Sequence, residues 1–128
     1  MKHILFIAAL TASTSAFAAD PVKVTPLFGQ ELAGLPGKEG AMLTVDLAPG
    51  ADSPPHRHDA HVFVYVLEGS IVMQVKGKEA VTLKPGGTFY ESPSDIHIVG
   101  RNASATEPAK FLAVFVKEKG VGFVLPEK

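Results

Sequence analysis

Short apolar runs, interrupted by glycine and proline about every ten residues, make up most of this chain. The runs are rich in valine, phenylalanine and isoleucine, which favour β-strands, and signals for helices are scarce after residue 18. Pro36-Gly37, Pro49-Gly50 and Pro85-Gly86-Gly87 are turn formers, because proline presets φ and glycine accepts positive φ. The pattern predicts an all-β domain, folded as a sandwich or a barrel.

The candidate strands follow from these boundaries. They cover Val22 to Thr25, Phe28 to Glu31, Ala41 to Leu47, Val62 to Leu67, Ile71 to Val75, Glu79 to Leu83, Thr88 to Tyr90, Ile96 to Val99, Phe111 to Val116 and Gly122 to Leu125. Glu68-Gly69 and Lys76-Gly77-Lys78 predict tight hairpins between paired strands. Two runs, at residues 62–67 and 111–116, are apolar at consecutive positions, so we expect a second sheet or another subunit to cover both of their faces.

The first residues form a segment of a different kind. Met1-Lys2-His3 is a short basic start, Ile4 to Leu10 is apolar, and Ala16-Phe17-Ala18 is an A-x-A cleavage pattern. This order predicts a secretory signal peptide over residues 1–18 and a single domain over residues 19–128; a short N-terminal helix or strand is the alternative. The apolar run is too short to span a bilayer. We therefore expect a secreted or periplasmic protein with no membrane segment after cleavage.

Charge and cysteine content exclude some partners and some chemistry. The formal net charge is −1, and loss of Lys2 with the leader would make it −2, so nothing indicates a nucleic-acid partner. The chain has no cysteine and therefore neither disulfides nor a cysteine lipid anchor.

Histidine is the residue type that indicates chemistry. Four histidines follow the leader, and three of them, His56, His58 and His61, lie within six positions, whereas His97 follows a later turn. Residues two apart in an extended segment face the same side, so His56 and His58 project in parallel. Such a pair suits a divalent metal, and a third imidazole from a neighbouring strand would leave coordination positions open. Surface histidines on a loop are the alternative.

Two spaced motifs carry a family resemblance. Gly50-x5-His56-x-His58, closing at Gly69, resembles the first motif of the cupin superfamily, and Gly87-x5-Pro93-x3-His97-x4-Asn102 resembles the second. The resemblance covers residues 41–116. It implies a jelly-roll barrel, also called a double-stranded β-helix, with one divalent transition metal (Fe, Mn, Ni, Zn or Cu) bound inside by His56, His58 and His97.

The sequence departs from the family pattern at three positions. The first motif usually has a glutamate ligand four residues after its second histidine, and Val62 stands there. Ser94 stands where glycine often follows the proline of the second motif, and Asn102 lies one residue later than usual. His61 is a further candidate ligand in place of the glutamate. A one-residue offset turns a side chain to the other face of a strand, so a position at the rim of the barrel is the alternative.

The residues around the motifs provide no obvious general base. Tyr65, Tyr90, Glu91 and Asp95 are the nearest polar candidates, and the last two are interpreted as turn residues. Arg101 is a candidate for attracting an anionic substrate, although a solvated arginine is the simpler interpretation.

Several functions remain open. Three neutral imidazoles leave the metal charge uncompensated and favour an anionic small molecule as ligand or substrate. The resemblance implies a metal-dependent oxygenase that acts on a small organic molecule. A non-catalytic metal- or ligand-binding barrel is the alternative, and an isomerase or lyase of a small sugar acid is a third. A homodimer that covers the apolar strands is also expected.

Overall fold

The computed structural model describes residues 20–127 and contains two five-stranded antiparallel sheets around a shared core. The ten strands are β1 (Val22–Glu31), β2 (Lys38–Leu47), β3 (His56–Arg57), β4 (Ala60–Glu68), β5 (Ile71–Val75), β6 (Val81–Leu83), β7 (Thr88–Glu91), β8 (Ile96–Asn102), β9 (Ala109–Glu118) and β10 (Leu125–Pro126). One sheet has the order β1-β2-β9-β4-β7, and the other has the order β10-β3-β8-β5-β6. This arrangement confirms the predicted all-β jelly roll.

The predicted signal peptide, residues 1–18, lies outside the described residues, and its cleavage and the export of the protein stay predictions. Within residues 20–127 no helix is long and apolar enough to cross a membrane.

Most predicted strands are present, with shifted ends. Two predicted strands at residues 22–25 and 28–31 are one strand, β1, whose register with β2 shifts between Pro26 and Phe28. Strand β5 has the predicted bounds, and β7 extends one residue further than predicted, to Glu91. Strand β3 is absent from the predicted set. Its two residues are too few to produce a recognisable alternation, and only pairing with β8 and β10 defines it.

The core fills the space between the sheets. Strand β4 alternates strictly, with alanine and valines buried at positions 60, 62, 64 and 66 and larger residues facing outward. Within the single chain a second sheet covers only the inner face of this strand, because Phe63 and Tyr65 on the outer face are about half exposed. A homodimer that covers this outer face stays a prediction.

The link at Glu68-Gly69 is not the predicted hairpin. Strand β4 lies in one sheet and β5 in the other, so the chain crosses between sheets at this point. Gly69 has a φ of 69°, and a Cβ there would lie 2.4 Å from the carbonyl oxygen of Pro108. Only glycine fits this crossing. By contrast, Lys76-Gly77-Lys78 does join the paired strands β5 and β6, as predicted.

Candidate metal centre

Strands β3 and β8 bring three histidines together. His56 on β3 is the direct cross-strand partner of His97 on β8, and His58 follows at the end of β3. His58 and His97 are buried, with 8% and 5% of their surface exposed, and His56 is half-buried. One ring nitrogen of each histidine lies within 4.8 Å of the other two. The structure thus groups the three histidines that the two motifs indicate.

Two backbone carbonyls hold the outer nitrogens of this group. Nδ1 of His56 lies 2.8 Å from the carbonyl oxygen of Pro54, and Nδ1 of His58 contacts the carbonyl oxygen of Phe123. A carbonyl only accepts, so each neutral imidazole carries its proton on Nδ1 and donates it. The Nε2 atoms of both rings are then left as lone-pair acceptors.

Those two Nε2 atoms face each other. They lie 3.1 Å apart, at the distance of a hydrogen bond, yet neither has a hydrogen to donate. Two lone pairs at this distance repel each other, and a cation between them would remove that repulsion. The arrangement therefore fits a shared metal ion. If both nitrogens were bound to one ion at about 2.0–2.1 Å, their separation of 3.1 Å would give a nitrogen–metal–nitrogen angle of about 100°. This angle lies between the octahedral and the tetrahedral values.

Protonation does not supply that cation at neutral pH. Burial, reinforced by repulsion from the neighbouring His56, lowers the pKa of His58 to about 4. Burial is also the main cause that lowers the pKa of His97 to about 4, followed by repulsion from His56 and His58. Both imidazoles are neutral above pH 6, which is the form that binds metals.

Glu91 lies beside this cluster, contrary to its interpretation as a turn residue. Its side chain is 3% exposed; Oε2 lies 3.5 Å from Nε2 of His58, and Oε1 lies 3.1 Å from Nδ1 of His97. Burial first, and then repulsion from Asp95, raises the pKa of Glu91 to about 7. The extra residue of β7 explains the error, because it places Glu91 on the same inward face as Phe89.

His61, a candidate ligand from the sequence, does not lie with the three histidines. It lies on the exposed face of β4, where its Nδ1 is 2.6 Å from the hydroxyl oxygen of Tyr90. The alternation of the strand is the reason, since the neighbouring Val62 faces the core. Tyr65 is exposed on the same outer face. Neither tyrosine reaches the histidine cluster from this side of the sheet.

The histidine cluster forms the polar part of an otherwise apolar cavity. The cavity has a volume of about 570 Å³ and lies inside the barrel. Its walls are mainly aliphatic and aromatic, and they include Leu43, Val45, Leu47, Val62, Val64, Ile71, Met73, Phe111, Phe115 and Phe123. Arg101 is exposed and also lines the cavity, whereas Asp95 accepts a hydrogen bond from the backbone N–H of Ser92 and has the predicted turn role.

The C-terminal segment, residues 119–127, closes one side of this cavity. Its Phe123 ring packs against Phe115 at 5.1 Å between centroids, and β10 pairs with β3 beside His56. The buried Lys117 anchors the segment, because its Nζ donates a hydrogen bond to the carbonyl oxygen of Val121 and lies 5.3 Å from the Phe123 ring. The sequence motifs do not include this segment, although it supplies the carbonyl that orients His58.

The fold and the cluster define a jelly-roll barrel with three histidines that converge inside it. A family model described as "Cupin domain" matches residues 43–115, which is more than half of the chain. The chain therefore belongs to the cupin family. A search of curated proteins finds no significant match.

Solved structures agree on the fold. The cupin domain of an XRE family transcriptional regulator from Enterobacter cloacae is 27% identical, with a TM-score of 0.56, 75% of this chain covered and 96% of that one. An oxalate oxidase in complex with the substrate analogue glycolate is 25% identical, with a TM-score of 0.62 and coverage of 91% and 61%. The DMSP lyase DddQ from Ruegeria pomeroyi is 20% identical, with a TM-score of 0.59 and coverage of 65% and 41%. The present chain thus spans about two fifths of the lyase and three fifths of the oxidase.

Proposed function

We propose that this cupin is an exported, metal-dependent oxygenase that acts on a small, largely apolar organic acid. The observation that carries the proposal is the pair of Nε2 atoms of His56 and His58, which lie 3.1 Å apart at the polar side of an apolar cavity. The oxalate oxidase supports an acid as substrate, since that relative acts on a small organic acid and is 25% identical.

A bound divalent metal would supply Lewis-acid and redox chemistry at this point of the cavity. His56, His58 and His97 would hold it as neutral imidazoles. Carbonyl oxygens of Pro54 and Phe123 fix two of these rings, so little rearrangement is needed on binding. Dioxygen is the co-reactant of the proposed class, and a dioxygenase places both of its oxygen atoms in the product without an external reductant.

The cavity restricts the substrate. Its volume of about 570 Å³ accepts a small organic molecule, and its walls exclude water from the body of that molecule. A carboxylate or enolate would face the metal, and Arg101 at the cavity lining offers a second site for negative charge. A sugar acid has several hydroxyls that these apolar walls leave without partners, which argues against the isomerase or lyase.

A non-catalytic metal- or ligand-binding barrel is the second candidate. It is favoured by the small number of polar side chains around the cavity, half of which are the three histidines. The two candidates share the metal centre and differ in turnover.

The experiment measures metal content and oxygen consumption together. Mature protein purified from the exported fraction is analysed for bound metal beside the His56→Ala, His97→Ala and His61→Ala variants. We expect the first two to lose metal and the third, on the outer face, to keep it. Unchanged metal in His56→Ala and His97→Ala would contradict the site.

Turnover is then tested with protein reconstituted with Fe(II), Mn(II), Ni(II), Zn(II) or Cu(II). The substrate panel contains diketones, flavonols and phenolic acids, and oxygen consumption is recorded with product analysis. Consumption that depends on His97 supports the oxygenase. Metal-loaded protein that consumes no oxygen and converts no compound supports the binding barrel instead.

A further inference from the structure

The buried carboxylate of Glu91 is not explained by the three-histidine site. It lies in β7, is 3% exposed, and has no hydrogen-bond partner for Oε1 within residues 20–127. No lysine or arginine in that range pairs with it. A buried, unpaired carboxylate costs several kcal/mol, so a residue of this kind indicates a cation or a ligand.

The position of Glu91 relative to Val62 gives the first argument. These two residues are direct partners in the antiparallel pair β4–β7, and both side chains face the barrel interior. Direct partners have Cβ atoms about 4.5–5.5 Å apart on the same face of a sheet. Val62 is the position where the cupin motif usually has its glutamate ligand. A carboxylate from β7 therefore reaches the region that a glutamate on β4 would reach.

Distances within the cluster give the second argument. Oε2 of Glu91 lies 3.5 Å from Nε2 of His58. If both atoms were bound to one ion at about 2.0–2.1 Å, this separation would correspond to a ligand–metal–ligand angle of about 115–120°. Oε1 lies 3.1 Å from Nδ1 of His97, yet both atoms are without a hydrogen bond because their geometry is not aligned for one. Glu91 therefore contacts two of the three histidines, His58 and His97, and lies beside the group of ring nitrogens that are all within 4.8 Å of one another.

Charge gives the third argument. Three neutral imidazoles leave a divalent ion with its full charge inside an apolar barrel, where an uncompensated charge is costly. One ionised carboxylate halves that charge. The ion in turn compensates the buried carboxylate.

We propose that Glu91 is the carboxylate ligand of the metal centre, supplied by β7 instead of by the residue at position 62 on β4. The inference rests on the proposed metal centre and names a ligand that the sequence motifs omit. His56, His58, His97 and Glu91 then form a site of three nitrogens and one oxygen, with the remaining positions open to a substrate.

The test compares Glu91→Gln, Glu91→Val and the double variant Val62→Glu/Glu91→Val with the unmodified protein. Glu68→Gln, an exposed carboxylate at the end of β4, is the matched control. Dissociation constants for Zn(II) are measured by competition with a chelating dye, and visible absorption of bound Co(II) reports the ligand set. Thermal unfolding of the metal-free proteins shows whether each variant folds.

Glu91→Gln and Glu91→Val should bind Zn(II) about 10–100-fold more weakly and change the Co(II) spectrum, whereas Glu68→Gln should change neither. The double variant, which returns a carboxylate to the same face from β4, should recover most of the affinity. In a crystal structure of the Zn(II) form, an oxygen of Glu91 should lie about 2.0–2.2 Å from the ion.

An unchanged affinity and Co(II) spectrum in Glu91→Gln would overturn the inference, as would a Zn(II) structure with both oxygens of Glu91 beyond about 3 Å. If the double variant does not fold, Glu91→Gln and the Zn(II) structure still decide. A failure of the metal centre itself looks different, because the unmodified protein would then bind no metal or His58→Ala would bind it equally well.

Discussion

Val62 and Glu91 pair directly across strands β4 and β7, and their side chains are 1% and 3% exposed. The apolar residue occupies the position that carries the glutamate of the cupin motif, and the acidic residue lies opposite to it. The absence of the motif glutamate therefore does not remove a carboxylate from the interior. It changes the strand that provides one.

Phe123 should support metal binding through its position and not through its own side-chain chemistry. Its carbonyl oxygen accepts the Nδ1–H of His58, and its ring holds the C-terminal segment against Phe115. We expect Phe123→Ala to loosen the carbonyl and weaken metal binding about 10-fold. Loss of the half-buried ring should also lower the free energy of unfolding by about 1–2 kcal/mol. Val124→Ala, at an exposed neighbour, is the control for calorimetric binding, and equal affinities in a folded Phe123→Ala protein would refute this role.

Gly100 provides the space for the His97 ring. A Cβ at this position would lie 3.0 Å from Cε1 and 3.3 Å from Nε2 of His97, so Gly100→Ala should displace the imidazole by a few tenths of an ångström. We expect a loss of metal affinity of about 10-fold or less with the three histidines intact. In Gly29→Ala the new Cβ has its nearest atom 4.0 Å away, and the affinity should not change. The same chelator competition measures both, and identical constants would show that the ring tolerates the methyl group.

Asn102 should be a stability residue. Its buried side-chain amide donates to the carbonyl oxygens of Leu47, Ala48 and Glu107, and its Oδ1 accepts from the N–H of Ser104. Asn102→Ala removes these four hydrogen bonds, although the carbonyl oxygen of Ala48 still accepts from the N–H of Ala51, and it should lower the free energy of unfolding by about 3 kcal/mol in urea titrations.

Two controls separate this network from ordinary surface bonds. Asn102→Asp keeps an acceptor but loses the donors, so it should not restore stability. Gln74→Ala removes one exposed hydrogen bond and should cost about 1 kcal/mol or less. A loss below that value in Asn102→Ala would show that the carbonyls find other partners.

The metal-free protein should lose stability as the pH falls toward 4. The pKa values of His58 and His97 are lowered from 6.5 to about 4 by burial, so the unfolded chain binds protons that the folded chain does not bind. Their contribution is complete above pH 6.5 and decreases as the pH falls below it. The pKa of Glu91 is raised from 4.5 to about 7 and acts in the opposite direction. Between pH 4.5 and pH 7 the Glu91 carboxyl keeps a proton in the folded protein and loses it in the unfolded chain. Its contribution to stability therefore decreases as the pH rises through this range.

The effect of Glu91 on the pH dependence cancels that of about one of the two histidines. The free energy of unfolding should therefore be about 2–3 kcal/mol higher at pH 6.5 than at pH 4.5. Urea unfolding in the presence of a chelator measures this difference. Glu91→Gln removes the opposing contribution and should make the dependence steeper. A flat profile in both proteins would contradict the burial of the two imidazoles.

Local pattern explains which parts of the fold were predictable. Strands such as β4 and β5 follow from short apolar runs between turn residues, because neighbours in the chain alone determine that periodicity. Strand β3 has two residues and exists only through its partners. The crossing at Gly69 was predicted as a hairpin, since a glycine turn between two strands is the same in sequence whether the strands pair or enter different sheets.

The residues of the site also separate into those that the sequence indicates and those that only the tertiary structure places. The spacing of His56 and His58 is local, and the second motif indicates His97, so the sequence by itself determined an all-β chain and the three imidazoles that converge in it. Only the tertiary structure decided that His61 faces outward, that Glu91 faces inward beside Val62, and that the carbonyl of Phe123 orients His58. These relationships join residues 29 to 65 positions apart. They depend on strand register and sheet packing, which no short stretch of sequence specifies.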